Sequence, residues 1–227
     1  LYGARGIGVV GVTKAICGDP DIARTLVESG IGMLADSRTA NLERMRNAGV
    51  TAQYLLLRTP IPSQAEAVVR LADISLNSEI SVIERLSEIA LARSATHRVV
   101  LMIELGDLRE GLMPDDLPRA VERVVALDGV ELAGIGTNLA CFGGVKPDEK
   151  NMSRLSSIAD DVEEEFGLTL SLVSGGNSAN YDWFVSTADV GRVNSLRLGE
   201  SIFLGRETLR REPIPGLFLD AFTLVAE

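Results

Sequence analysis

The sequence predicts a closed parallel β/α barrel of eight strands, and three observations carry that expectation. Apolar, β-branched runs alternate with segments of helical period along the whole chain, the pattern of repeated strand-then-helix units rather than of an antiparallel sandwich. Eight such runs can be counted, which is the closure number of the barrel. Hydrophobic residues make up 46%, aromatics only 4%, and glycines number 22, so the core is aliphatic and joined by tight turns, as suits parallel strands buried on both faces. A chain of 227 residues has the size of one such barrel and does not require two domains.

The strands are read at Ile7–Lys14, Ile31–Asp36, Ala52–Arg58, Asp73–Leu76, Arg98–Leu105, Glu131–Asn138, Leu170–Ser174 and Ser195–Leu198, the fourth and eighth being the weakest. After the first strand, Asp19-Pro20 is an N-cap followed by proline at the first helical position; Ile22, Ala23, Leu26 and Val27 form the apolar stripe, and Gly30 closes the helix. Gly49 and Gly167 repeat the stop signal. Ser81 with Glu84 fits a capping box, and fits equally well a place one turn inside a helix that begins at Ser78. At the ends, Leu1–Gly6 leads almost at once into a buried strand, and Thr223-Leu224-Val225-Ala226-Glu227 stops inside what reads as another strand, with no polar tail. The expectation is a barrel over residues 1–220 and the start of a further β-domain over 221–227, in a piece of a longer protein.

The 22 basic residues against 32 acidic ones give a net charge of −10, and no basic stripe compensates, so nucleic acid is not an expected partner. A phosphate-bearing small molecule remains compatible, because backbone N–H groups outweigh a modest global field at short range. No apolar run approaches the ~18 residues of a membrane span and no leader pattern opens the chain, so a cytoplasmic protein is expected, with Cys17 and Cys141 reduced. The solitary His97 leaves little material for a Ser-His-Asp triad or a multi-histidine metal site; no metal is expected, and His97 is read as solvent-facing.

In a parallel barrel the reactive residues gather at the C-terminal strand ends. Lys14 ends the first strand, Asp36-Ser37-Arg38 the second, Arg58 the third, Asn77-Ser78 the fourth, Glu104 to Arg109 the fifth, Thr137-Asn138 the sixth, Ser174 to Ser178 the seventh and Arg197-Leu198-Gly199 the eighth. Lys14 follows an apolar run, where an ammonium costs several kcal/mol unless it is paired or functional. A desolvated amine has a lowered pKa and attacks an aldehyde; read structurally, the same lysine snorkels to the barrel mouth as an ion-pair partner, and on physics alone the two readings stand level. Ser174-Gly175-Gly176-Asn177-Ser178 is a small-residue loop at the barrel's usual phosphate position, with Gly199 as the facing wall, although a Gly-Gly turn alone often serves only to reverse the chain. Arg197 has three readings: binding a carboxylate, pairing with Glu200 or Asp36, or donating to a ring nitrogen. Were the cofactor pyridoxal phosphate (PLP), a permanent cation beside the pyridine nitrogen would keep it unprotonated and favour brief proton removal and return, as in a racemase. Cys17 and Cys141 are read as buried and inert ahead of any acid/base role.

Taken together, Gly11-Val12-Thr13-Lys14-Ala15 with Gly18-Asp19, Ala35-Asp36-Ser37-Arg38 with Asn41-Leu42, Gly136-Thr137-Asn138-Leu139-Ala140-Cys141, Ser174-Gly175-Gly176-Asn177-Ser178 and Arg197-Leu198-Gly199-Glu200 form an ordered set. Over nearly the whole chain, the set resembles the ornithine racemases among the alanine racemase-like, fold type III PLP enzymes. The resemblance implies an alanine racemase N-terminal-like barrel with PLP as cofactor and Lys14 as the Schiff-base lysine that moves the proton on one face of the substrate Cα. It further implies that Asn177, Ser178 and Gly199, with Ser174 and Gly176 in the same stretch, hold the phosphate, that Arg197 faces the pyridine nitrogen, and that Arg109 stands near the phenolic oxygen. Alanine racemases carry a histidine stacked on the ring where this chain has Asn138, which fits the ornithine-type branch. In the family the second acid/base is a tyrosine from the C-terminal β-domain of a partner subunit, so a homodimer of the longer protein is implied. The expected activity is racemisation of ornithine or a related basic or polar amino acid; the rivals are a non-catalytic PLP carrier and a metal-assisted D-amino-acid aldolase of the same fold type. Asp36, Glu104, Asp107 and Glu200 are acidic candidates for meeting a basic substrate, and equally ordinary caps and ion pairs.

Overall fold

The computed structural model describes residues 1–141, 144–223 and 225. All eight expected strands form, as β1 (Gly8–Val12), β2 (Met33–Asp36), β3 (Gln53–Leu56), β4 (Ile74–Asn77), β5 (His97–Ile103), β6 (Val130–Thr137), β7 (Leu172–Ser174) and β8 (Ser195–Leu198). Every neighbouring pair is parallel, and β8 returns to β1 with Gly8 opposite Ser195 and Gly11 opposite Leu198, so the sheet closes and has no free edge. The shortest strand is β7 with three residues, while the fourth and eighth, read as weakest, hold four each.

Among the described residues, eight α-helices cover the barrel: α1 (Pro20–Glu28), α2 (Thr39–Asn47), α3 (Ala65–Leu71), α4 (Ile80–Ala92), α5 (Leu117–Val125), α6 (Glu149–Phe166), α7 (Tyr181–Ser186) and α8 (Glu200–Leu204). The Asp19 carboxylate accepts the amides of Asp21 and Ile22, with Pro20 at the first helical position as expected, and α6 starts from a reciprocal Asp148–Asn151 box and ends on Gly167. The Ser81–Glu84 capping box does not form: α4 starts at Ile80, which places Ser81 inside the first turn, and its N-cap Glu79 makes no side-chain cap bond. At the start of the chain, Tyr2–Arg5 is a 3-10 turn whose Tyr2 ring packs on Phe184 at 4.5 Å. Of the residues read as a final strand, Thr223 and Val225 belong to no strand, and Leu224, Ala226 and Glu227 lie outside the described residues.

The period of two sorts each strand between two cores. Val10, Val12, Ala35, Leu55, Ile74, Leu76, Val100 and Met102 fill the barrel interior, and the alternate residues, among them Leu34, Leu56, Val99, Leu101, Leu196 and Leu198, pack outward against the helices. His97 belongs to the outward set and is buried, which corrects its solvent-facing reading. It opens β5 in the space between strands and helices, where the Ser75 hydroxyl meets its Nε2 at 2.8 Å; the Asn77 amide donates to the same hydroxyl at 2.9 Å, leaving the hydroxyl proton for the imidazole. Burial lowers the His97 pKa to about 4, against a smaller opposing field from Asp73. The unfolded chain takes up this proton near pH 6.5 and the folded one only near 4, so stability is lost as the pH falls through that window. Urea unfolding from pH 7 to 4 should therefore show an acid loss smaller by roughly 3 kcal/mol in His97→Gln than in the parent chain, and equal slopes would refute the assignment.

Candidate functional site

A cavity of about 1030 Å³ opens over the C-terminal strand ends, and Lys14, Arg109, Asn138, Asn177, Ser178, Arg197 and Gly199 all line it. Two further residues singled out from the sequence, Ser174 and Gly176, are buried just below it.

The first wall is built from β1 and β2. Thr13 is pinned twice, its amide to the Ala35 carbonyl and its hydroxyl to Asp36 Oδ2, each at 2.8 Å. The Asp36 carboxylate also accepts the Arg38 amide at 3.0 Å and the Asn41 side-chain amide at 2.9 Å, so it serves as a fully spent structural anchor rather than a partner of Arg197. Beyond this anchor the chain leaves the strand in a 3-10 turn that begins at Lys14. Lys14 is consequently exposed at the mouth, not buried as the sequence reading required of a desolvated amine. Cys17 and Cys141 are exposed as well, which corrects their reading as buried; both lie on turns beyond strand ends, and Cys141 lines the cavity.

On the opposite side, the chain after β5 is held by a buried carboxylate. Glu104 accepts the amides of Gly106 at 2.5 Å and Arg109 at 3.1 Å, and Asp107 accepts the Val145 amide at 2.7 Å. Glu104 is thus a local cap and Asp107 a tie to the segment after β6, and the loop they shape delivers Arg109 and Glu110 to the mouth. Glu110 was missed in sequence; its only signal was adjacency to Arg109.

The third wall comes from β6, β7 and β8. Arg197 points into the barrel and is buried, bonded to the Ser174 hydroxyl and, at 2.9 Å, to the Thr137 carbonyl. Neither proposed carboxylate pairs with it: Glu200 binds Arg211 and Asp36 is spent on Thr13 and Asn41. Burial lowers its pKa to about 10, with Glu110 raising and Arg109 lowering it, so the group stays cationic at neutral pH. Nearby, the Ser178 hydroxyl draws in the amide of Gly199 at 3.4 Å, the amide of Ser201 at 3.3 Å and the Ser201 hydroxyl at 3.1 Å. Donors converging on so small a space can hold a phosphate. Glycine is required at 176, where φ is +136° and a Cβ would stand 2.4 Å from Asn180 Oδ1; at 199 a Cβ would press on Val12 at 3.2 Å.

The segment after α8 also reaches the mouth. Buried Glu207 accepts the amides of Leu209, Arg210 and Glu212, which turns Thr208 and Arg211 toward the cavity, and Phe222 closes on Phe203 at 5.2 Å. Nothing in the local pattern of residues 207–222 announced this. Among the described residues no cluster of His, Cys, Asp or Glu suits a metal ion, and no helix is long and apolar enough to cross a membrane.

The geometry separates a structural cation from a chemical one. Arg197→Ala should cost about 2–4 kcal/mol in chemical denaturation, because the Thr137 carbonyl and Ser174 hydroxyl lose their partner. Lys14→Ala should leave the unfolding midpoint unchanged; a comparable loss in both would contradict the division.

Residues 4–207 match the family described as alanine racemase, N-terminal domain. The chain is 39% identical over 215 residues to the ornithine racemase of Acetoanaerobium sticklandii, which spans 94% of this chain and 60% of that protein. It is 35% identical over 223 residues to the lysine racemase of Thermotoga maritima, over 98% of this chain and 62% of that protein. The chain thus spans about three fifths of the length of these curated relatives. The fold is similar to that of PipY from Synechococcus elongatus PCC7942 with PLP bound, at a TM-score of 0.72 and 17% identity, over 87% of this chain and 92% of that one. With its closed eight-stranded barrel and this match over most of its length, the chain belongs to the alanine racemase N-terminal domain family.

Proposed function

We propose that this chain is the PLP-binding barrel, over residues 1–220, of an amino-acid racemase acting on ornithine or a related basic amino acid. One observation carries the reading: Lys14, the cation Arg197 and the Ser178–Gly199 donors converge on a single mouth. PLP is the cofactor of the family, and the residues present fit it. The small cradle suits its phosphate, with Asn177, Ser178 and Gly199 as holders; Lys14 is an accessible amine for its attachment; Arg197 is a permanent cation for the ring nitrogen, and Arg109 and Asn138 stand beside it. In a chain of net charge −10, the mouth cations Lys14, Arg58, Arg109 and Arg197 take part in none of the ion pairs found among the described residues. Cations left without carboxylates suit a ligand that brings its own anions, a phosphate and a substrate carboxylate.

When bound, the cofactor supplies the electron-withdrawing ring that acidifies the substrate Cα–H. Lys14 would take and return the proton on one face of the substrate Cα. Arg197 holds its charge although burial lowers its pKa to about 10, because that value is still far above neutrality. Transfer on the other face needs a second proton group, which we assign to the β-domain of a partner subunit in a homodimer, the domain beginning near residue 221. The likeness to the ornithine and lysine racemases supports a basic substrate. The free thiols of Cys17 and Cys141 agree with a cytoplasmic setting.

The fold is shared with PipY, a chain solved with PLP bound of which this barrel covers 92%, and this supports a second reading in which the barrel holds PLP as a carrier. Borohydride reduction of the PLP-loaded protein should fix the cofactor on Lys14, and Lys14→Ala should lose the visible absorption; modification at any other lysine would overturn the assignment. Loss of optical rotation with L-ornithine or L-lysine is expected from the loaded protein. Its absence with every amino acid would select the carrier.

A further inference from the structure

Glu110 stands at the mouth where three loops meet, and neither the resemblance nor the proposed chemistry assigns it a role. Its Oε1 accepts the side-chain amide of Asn138 at 2.7 Å. Asn138 Oδ1 in turn accepts Asn177 Nδ2 at 3.1 Å, and the same Nδ2 donates to the Leu139 carbonyl at 3.0 Å. Asn177 Oδ1 accepts the Ala179 amide at 2.8 Å, and the Asn177 amide donates to Asn180 Oδ1 at 3.0 Å, which together open the short turn that carries Ser178.

The chain of bonds has a polarity. An amide has one donor end and one acceptor end, and either can be presented to a neighbour by a flip of the side chain. An ionised carboxylate only accepts, so Glu110 forces the Asn138 NH2 toward itself and the Asn138 oxygen toward Asn177. Asn177 then has its NH2 committed to two acceptors and its oxygen left for the Ala179 amide. Were Asn138 reversed, two NH2 groups would face each other across the gap. Glu110 is itself held in place, since the Glu104 carboxylate grips the amide of the preceding Arg109.

We propose that Glu110 is a positioning residue for the phosphate loop: it fixes the orientation of Asn138, and through it Asn177 and the turn that presents Ser178 to the Gly199 and Ser201 donors. The inference rests on the proposed PLP reading for its ligand, while the bond chain itself belongs to the protein without ligand. The carboxylate also lies close enough to raise the pKa of the buried Arg197, so the same group supports the neighbouring cation.

Two measurements test this. In the PLP-free protein, Glu110→Ala should speed hydrogen exchange at the side-chain amides of both Asn138 and Asn177 by about tenfold, the scale of one hydrogen bond, whereas Glu110→Gln, which retains an acceptor, should restore protection. Unchanged protection at Asn177 in Glu110→Ala would overturn the proposal. In PLP titrations, Glu110→Ala and Asn138→Ala should each weaken binding about tenfold, and the double variant should be no weaker than either single one, because both break the same chain. Losses that multiply to about a hundredfold in the double variant would show independent contacts and refute it. If the unaltered protein takes up no PLP, the functional reading falls, and the exchange measurement alone decides whether Glu110 orients the loop.

Discussion

The hydrogen-bonded return of β8 onto β1, with Val10 opposite Arg197, is the contact on which the mouth depends. It brings Lys14, near the start of the chain, beside Arg197 and Gly199, near its end. The close approach is made by small residues, since Gly199 lies where a Cβ would press on Val12. Closure also removes every sheet edge and turns alternate residues into a lumen, so an arginine on β8 is buried while its strand neighbours Leu196 and Leu198 face the helices.

That burial sets the electrostatics. Arg197 is satisfied by a hydroxyl and a carbonyl, neutral partners that leave its charge uncompensated by direct contact, and the surrounding carboxylates are mostly committed elsewhere: Asp36 to Thr13 and Asn41, Glu104 to backbone amides, Glu200 to Arg211. A buried cation without a paired anion is costly in a finished core, so the arrangement suits a place where an anion or an electron-rich ring nitrogen arrives from outside. The acidic surface of the chain does not oppose this, because at short range the mouth's own cations dominate over a screened net charge.

Much of the fold was readable in one dimension. Strand number and order follow from β-branched runs and glycine stops, and the Asp19-Pro20 start of α1 is a cap whose donors and acceptor lie within three residues of each other. Strand-end residues were readable too, because in a parallel barrel the end of a strand is the mouth. The misreadings share a cause. His97 looked like a lone surface histidine, yet its partner Ser75, held in turn by Asn77, comes from β4; Lys14 was read as the end of the first strand, yet that strand stops at Val12 and the Thr13–Asp36 anchor precedes the turn that exposes it.

The sequence by itself determined the barrel and the set of polar residues that stand at its mouth, because the period of a strand, the chemistry of a cap and the end of an apolar run are local properties. Tertiary structure alone decided which of those residues are exposed, which are spent as anchors and which bond one another. Arg197 meets Thr137 and Ser174, Glu110 meets Asn138, and Ser178 meets Ser201, pairs separated by more than twenty residues that no local pattern connects. Closure of the strands brings each of them within hydrogen-bond reach.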